Sequence, residues 1–579
     1  MPALLAASLA VALAGPVAPA GEIPADLLLV GGRIWTAEEA HPWAEAVAVR
    51  GGRIVYVGPT AGAAPFRGSK TEVVELEGRL VTPGFNDAHI HLVEGAVSMD
   101  QVDLIEEQSL GAVQARIRAF AAENPRSAWV LGKGWLYGSF PGGLPTKEQL
   151  DTVVRDRPAF MECYDYHTGW ANSKALALAG ITKDTKDPEN GAIVRDPKTG
   201  EPSGALKENA RALVKSKIPA LDEEARYALL RRALRLLNAQ GITSVQDVRS
   251  DSAPLTPEVS LFERALRDGA LTVRIVAAIQ MRSGDVEGSI AEARRLRALH
   301  DDALLRFGRV KAYVDGVIEA HTAAMLEPYA DDSSLGRGEA KWVPEALAAA
   351  VIAADKAGLQ VYLHAIGDRG VRMALDAHEA ALKANGRADR RGRIEHIETI
   401  HPDDYPRFKR LGVIASMQPL HANPDQNNFD VWSRNAGPDR ASRGFSWANI
   451  ERAGGRLVFG SDWPVVTSDV FRGLYCAVTR KTREGTPAGG WHPELAVSLE
   501  NALRHYTIDG AYASFEEAEK GSIAVGKRAD LVVLSEDLFK APPEAILKAK
   551  VLLTVMDGKV VYRVQSAGAI APKGTSRIG

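Results

Sequence analysis

Cysteine is nearly absent from this chain: its 579 residues include two, Cys163 and Cys476, with no partner at metal-motif spacing. That excludes a disulfide framework and a zinc-finger module. An excess of charge of either sign is lacking too. The 70 Lys and Arg residues nearly balance 73 Asp and Glu residues, for a net charge of −3. Nothing in that balance calls for nucleic acid or an anionic membrane as partner. After residue 20 no apolar run reaches the length of a membrane span. What is there is an ordinary globular balance, 46% apolar and 25% charged, in a chain long enough for two or three domains.

The first twenty residues stand apart. Leu4 to Val17 is a run of small and apolar residues, followed by Ala18-Pro19-Ala20, which has the pattern of a small-residue cleavage site. The segment reads as a signal peptide and implies export to the periplasm or the medium. No Lys or Arg precedes the apolar core, and the run is too short to span a bilayer. A disordered Ala-rich tail or a misplaced start is the alternative.

From Asp26 onward, short alternating apolar runs broken by glycine (Leu27–Val30, Arg33–Trp35, Val47–Val49, Ile54–Val57) read as hairpin strands. A similar set returns at the far end: Leu531–Leu534, then Val551–Val555, an Asp557-Gly558 turn and Val560–Tyr562. The two sets are expected to pair into one small β-sandwich domain, because chain termini often lie close together. Between them, buried-looking strands alternate with helices rich in Ala, Leu, Arg and Glu, such as Glu223–Gln240, Val286–Leu299, Pro344–Lys356 and Gly370–Asn385. The strands are Ile242–Val248, Leu271–Met281, Val310–Val314, Val361–His364, Ile394–Ile397, Val413–Met417 and Leu457–Phe459. With the strand before His89 they make eight, which predicts an α/β fold, a (β/α)8 TIM barrel. The first connection, roughly residues 92–241, is far too long for one crossover helix and reads as an inserted subdomain. The expected division is 22–82 with 508–565 for the sandwich and 83–507 for the barrel, with the insertion at about 100–225.

The chemistry gathers at the strand ends. His89 and His91 are two positions apart, and on a strand such residues share a face, so both imidazoles can converge on one point. That is half of a zinc site, or two structural histidines. Lys311 lies in the fourth strand, His364 ends the fifth, His396 ends the sixth and Asp462 follows the eighth. All of these fall at the C-terminal rim, where barrel enzymes build their sites.

These residues and their surroundings resemble the amidohydrolase superfamily, and within it the amidohydrolase-3 (YtcJ-like) group of metal-dependent hydrolases. The resemblance covers nearly everything after residue 26. It rests on Thr82-Pro83-Gly84-Phe85 running into His89-Ile90-His91, on Asn172-Ser173-Lys174-Ala175-Leu176, and on Val310-Lys311 leading to Asp315-Gly316. It rests also on Leu363-His364-Ala365-Ile366-Gly367-Asp368, Ile394-Glu395-His396, Gly460-Ser461-Asp462-Trp463-Pro464 and the closing Gly526-Lys527-Arg528-Ala529-Asp530. It implies a divalent-metal site, of the zinc type, holding one or two ions per chain. His89 and His91 would hold the first ion, His364 and His396 the second, with Lys311 as a bridging carbamate. The other reading of Lys311 is a buried ion pair with Asp315. Asp462 would serve as metal ligand, catalytic base, or both.

Several residues are candidates for contact with a small-molecule substrate: Trp135, Tyr164 and His167 in the insertion, His321 beyond strand four, Gln418 after strand seven, and Trp463. His421 is read as within reach of the pocket or as surface. Trp135, Tyr164, His167 and Trp170 are read equally as pocket mouth or as core of the inserted subdomain. Alternation along a strand turns Glu395 away from His396, so it is read as a structural contact. The leading expectation is hydrolysis of a non-peptide carbon–nitrogen bond. The same site suits an ester, lactone or carbamate, and a non-catalytic binding protein on this fold is the reading from another class. A homodimer is the default expectation for a soluble assembly.

Overall fold

The computed structural model describes residues 23–164, 168–189, 191–248 and 255–564. The leader expected at residues 1–20, residue 565 at the end of the expected sandwich, and His167 lie outside the described residues.

Two sheets form the small domain. In one, Leu27–Val30 pairs antiparallel with Ala46–Arg50 and parallel with Glu72–Glu75, and Arg53–Gly58 completes the edge. The other runs Lys559–Arg563, Val551–Met556, Leu531–Leu534, Leu80–Pro83, Arg33–Trp35 and Trp43–Ala44. Residues alternate along each strand, so Leu27, Leu29, Val47 and Val49 meet Val81, Leu531, Val533 and Leu553 in one shared apolar layer. The strands from both ends of the chain therefore make one sandwich, as their matching patterns imply.

Eight parallel strands form the barrel: β1 (Phe85–Ile90), β2 (Ile242–Asp247), β3 (Arg274–Gln280), β4 (Leu305–Tyr313), β5 (Gln360–Ala365), β6 (Arg393–His396), β7 (Ile414–Met417) and β8 (Arg456–Phe459). Strand-to-strand ladders join all neighbours from β1 to β8. The ring closes just past the ends of β8 and β1, where the Asp462 N–H donates to His89 O (2.7 Å) and the His91 N–H donates to Trp463 O (2.9 Å). A buried side chain reinforces this seam: the Asp87 carboxylate accepts from the Ser461 N–H (2.9 Å) and hydroxyl (2.5 Å). Strand β4 starts five residues earlier than its apolar pattern indicated. Gly308 sits inside it at φ +103° where the register with β3 shifts, so a bulge interrupts the alternation a reader would follow.

Helices between the strands carry their own start signals. The Asp222 side chain accepts from the Ala225 N–H (2.8 Å) at the start of Glu223–Ala239, with Glu223 and Glu224 in the positive first turn. Pro344 opens Pro344–Lys356 at the position where its missing N–H is harmless. The insertion has a six-stranded mixed sheet with Ala159–Cys163 and Thr168–Ala171 at its centre, and apolar layers of its own. Asn172, in the segment that carries the resemblance, is structural there. Its Oδ1 caps Ser173–Ala179 through the Ala175 N–H (2.9 Å) and its amide donates to Val154 O and Arg157 O. The helix Ile508–Ala513, grouped with the sandwich in the sequence reading, lies under the barrel floor. Gln246 donates to Gly510 O (2.9 Å) and Gln360 to Ala513 O (2.8 Å).

Candidate metal centre

At the C-terminal rim, four imidazoles from three strand ends converge on one carboxylate, Asp462, which follows a fourth. His89 Nε2 lies 3.4 Å and His91 Nε2 3.1 Å from Asp462 Oδ1. On the other oxygen, His421 Nε2 lies 3.5 Å and His396 Nδ1 3.8 Å from Asp462 Oδ2. Donor atoms of His89, His91 and Asp462 lie within 4.8 Å of one another, and those of His396, His421 and Asp462 do likewise. Asp462 reaches this hub from a backbone at φ +61°, in the turn that closes the barrel seam.

Supporting residues fix the ring orientations. The Glu395 carboxylate accepts from His89 Nδ1 at 2.6 Å and is itself gripped by Arg393 through two bonds of 2.9 and 2.8 Å. A histidine that gives its Nδ1–H to a carboxylate presents the Nε2 lone pair, the arrangement that orients metal ligands. Gln418 Oε1 accepts from His396 Nδ1 (2.9 Å). Arg393, fully buried, stacks on the Tyr362 ring at 4.0 Å and also donates to Ala88 O and Ser416 Oγ. Glu395 and His396 both serve the centre although they are adjacent, because His396 has left the strand conformation at φ +74°. That corrects the alternation argument that set Glu395 aside.

Electrostatics favour ionised carboxylates at Asp462 and Glu395 and neutral rings at His364, His396 and His421. At His91, by contrast, burial is outweighed by Asp462 and the pKa is raised. Burial acts to raise the Asp462 pKa, but the neighbouring His89, His91 and His396 outweigh it and hold the acid well below its usual range. Glu395 is likewise held low, since Arg393 and His89 overcome its burial. Burial, reinforced by the Lys311 charge, pushes His364 down to about 3, and burial depresses His396 and His421 as well. His89 Nε2, His421 Nε2 and Asp462 Oδ1 are buried and make no hydrogen bond among the described residues. Buried polar atoms of that kind are costly unless something satisfies them. Imidazole nitrogens around a hard oxygen are a donor set that suits Zn(II) or a related divalent ion. The residues fit the ion.

The remaining candidates divide. Lys311 is buried near the end of β4 with its Nζ 5.2 Å from the Tyr313 ring centre. Asp315, the ion-pair partner considered for it, places its carboxylate on the Ala324, Ile366 and Gly367 N–H groups (2.9, 3.0 and 2.9 Å). His364 packs its ring 4.5 Å from that of His396 and donates from Nε2 to Gly316 O (3.2 Å). Gln418 lies against His396, its Oε1 accepting from the ring Nδ1 (2.9 Å). Trp463 covers the helix Leu92–Ser98 at Gly95. Trp135 is core of the insertion, its Nε1–H donating to Met161 O (3.0 Å), and Tyr164 packs at the edge of the same layer. Trp170 is core there too. His321 pairs with both oxygens of Asp331 at 3.0 Å. Of the two readings of Trp135 and Tyr164, both side chains take the subdomain packing. His421 is the residue that the sequence reading undervalued. It is no surface histidine: its ring lies parallel to that of His396, 5.8 Å away at 3°, with Glu398 3.8 Å from its other nitrogen.

The sequence pattern of the Amidohydrolase family matches residues 72–562. The chain belongs to that family, and so to the metal-dependent hydrolases built on this barrel. It is 33% identical to Protein LONG AFTER FAR-RED 3 of Arabidopsis thaliana over 553 residues, covering 94% of this chain and 92% of the relative. It is 29% identical to N-substituted formamide deformylase of Arthrobacter pascens, over 93% of this chain and 98% of that enzyme. Among solved structures it is similar to an uncharacterized metal-dependent hydrolase from Pyrococcus furiosus. The TM-score there is 0.68 at 25% identity, covering 90% of this chain and 99% of the other.

Proposed function

We propose that this protein is a zinc hydrolase cleaving a non-peptide carbon–nitrogen bond in a small amide, with N-substituted formamides as the first class to examine. The observation that carries the reading is the convergence of His89 and His91 on Asp462 Oδ1, with Glu395 braced behind His89. The formamide class is suggested by the name of the Arthrobacter pascens relative. His89, His91 and Asp462 would hold the cation, which supplies a Lewis acid that polarises the scissile carbonyl and acidifies a water. Glu395, through His89 Nδ1, keeps the Nε2 lone pair turned inward. Asp462, ionised at neutral pH, takes a proton from the attacking water on Oδ2 and returns it to the departing nitrogen.

The test is elemental analysis of the purified protein beside hydrolysis assays on N-alkyl and N-aryl formamides, longer amides, esters and lactones. Formamide or amide turnover with bound zinc is expected. Asp462→Asn keeps an oxygen donor but loses the base, so kcat should fall at least ~100-fold with metal retained. A near-normal rate in that variant removes Asp462 from the proton path, and turnover confined to esters or lactones replaces the carbon–nitrogen assignment.

A further inference from the structure

We infer that Lys133, carried by the insertion, is a positioning residue for Asp462: its ammonium holds the Pro464 carbonyl and so fixes the loop that aims the Asp462 carboxylate. The inference rests on the proposed role of Asp462 as base. Lys133 is only 7% exposed, and its Nζ donates to Pro464 O. That bond completes a row. Asp462 O accepts from the Val465 N–H (2.8 Å), Trp463 O from the His91 N–H (2.9 Å) and Pro464 O from Lys133, so three consecutive carbonyls are held. The first two donors belong to the loop and the barrel. The third comes from the inserted subdomain.

The local sequence sends Lys133 there. On Val130–Trp135, Leu131 and Lys133 share one face of the strand. Between Gly132 and Trp135 the register with Ala159–Cys163 shifts, and Gly134 sits at φ +86°. This bulge turns Trp135 to the face of Val130, into the subdomain core, instead of leaving it beside Lys133. Asp103 stands directly opposite Lys133 in the ladder with Val102–Asp103, and its charge helps the ammonium stay buried. The same edge of the insertion meets the barrel again at Glu106, which pairs with Arg472 (2.6 Å) and Arg483 (2.7 Å). Those groups are open to solvent, where such pairs contribute little. The buried Lys133 bond is the firmer link.

The insertion thereby becomes part of the proton-transfer apparatus. Misplacing a reacting group by ~1 Å can cost ~100-fold in rate. A bond to the second residue after Asp462 therefore bears on kcat more than on KM.

The test compares Lys133→Met, Lys133→Gln, Lys133→Arg and Arg157→Met in the full chain. Arg157 donates to the carbonyls of Ala121, Pro125 and Ser127, so its loss loosens the insertion from within. On the substrate that the enzyme hydrolyses best, Lys133→Met and Lys133→Gln should each lower kcat at least ~10-fold with KM within ~3-fold of wild type. Amide hydrogen exchange in the peptide 461–466, measured without substrate, should quicken in both. Lys133→Arg should recover most of the rate and the protection, and Arg157→Met should lose neither. In the Asp462→Asn background Lys133→Met should cost under ~2-fold, because the group it positions is gone. A wild-type kcat in Lys133→Met or Lys133→Gln, an equal loss in Arg157→Met, or a full further loss on top of Asp462→Asn overturns the inference. Failure of the base itself reads differently: Asp462→Asn alone then keeps a near-normal rate, and the positioning role falls with it.

Discussion

Glu395 answers to two partners, His89 above it and Arg393 beside it, and both are fully buried. Glu395→Gln would keep the shape and remove the charge. Cation affinity at His89, His91 and Asp462 is expected to fall ~10–100-fold in chelator competition. Stability should drop by ~3–5 kcal/mol in urea unfolding, because the Arg393 guanidinium is left buried without its counter-charge. His378, on the helix Asp368–Asn385, makes a separate prediction about pH. Burial pushes its imidazole down to about 4 from the ordinary 6.5, against a weaker raising pull from the backbone at Arg393 and from Asp355. The unfolded chain therefore binds a proton in that window that the folded chain refuses. The stability this neutral ring contributes is complete above pH 6.5 and is lost as pH falls toward 4, up to ~3 kcal/mol. Urea unfolding at pH 7 and pH 5 should show a shallower pH dependence in His378→Asn; an unchanged slope assigns the acid sensitivity elsewhere. At this scale the sequence was informative where a ligand sits on a strand end in regular register, as at His89 and His91. It was misleading at Glu395, because φ +74° at His396 breaks the alternation on which a reader relies. It was nearly silent at His421, which a short turn delivers and no periodicity announces.

Elements were legible to the extent that their apolar period was uninterrupted. Val286–Leu299 and Pro344–Lys356 match their sequence patterns end to end, whereas β4 was cut short at the Gly308 bulge. The aromatics of the insertion stayed between two readings for a related reason: a Trp in a subdomain core and a Trp lining a pocket have the same local sequence, and only the third dimension separates them. One contact between elements bears directly on the site. Gly95, in the helix that follows His91, lets the Trp463 indole lie against the helix, and a Cβ there would come within 2.1 Å of the ring. Gly95→Ala should cost ~1–3 kcal/mol in thermal or urea unfolding. It should also reduce kcat, since the displaced ring is next in sequence to Asp462. A variant with wild-type stability and rate would show that the loop yields freely.

Across the whole molecule, the barrel and the sandwich are joined by a buried charge cluster. Arg274 on β3 donates to both oxygens of Asp530 (2.9 and 3.0 Å) and to Asp557 (3.0 Å), residues that flank the returning C-terminal strands. Arg274→Met should lose ~3–5 kcal/mol because the buried Asp530 carboxylate stays behind without its guanidinium, while Asp557 keeps Arg528 (2.8 Å). Coincident unfolding of barrel and sandwich would be expected to split into two transitions, which fluorescence and circular dichroism can resolve. The pairing of the two chain ends was legible from their matching strand patterns, but this clamp was not, since nothing local links Arg274 to Asp530. The seam at Asp87, His89 and residues 461–463 carries its own implication for biogenesis. While the nascent polypeptide leaves the ribosome, β1 has an open edge until the residues that close the ring emerge, hundreds of positions later, and the sandwich waits longer still. Assembly of the rim thus waits for residues 461–463, and a product terminated before them would present bare strand edges to the cell's holdases and proteases.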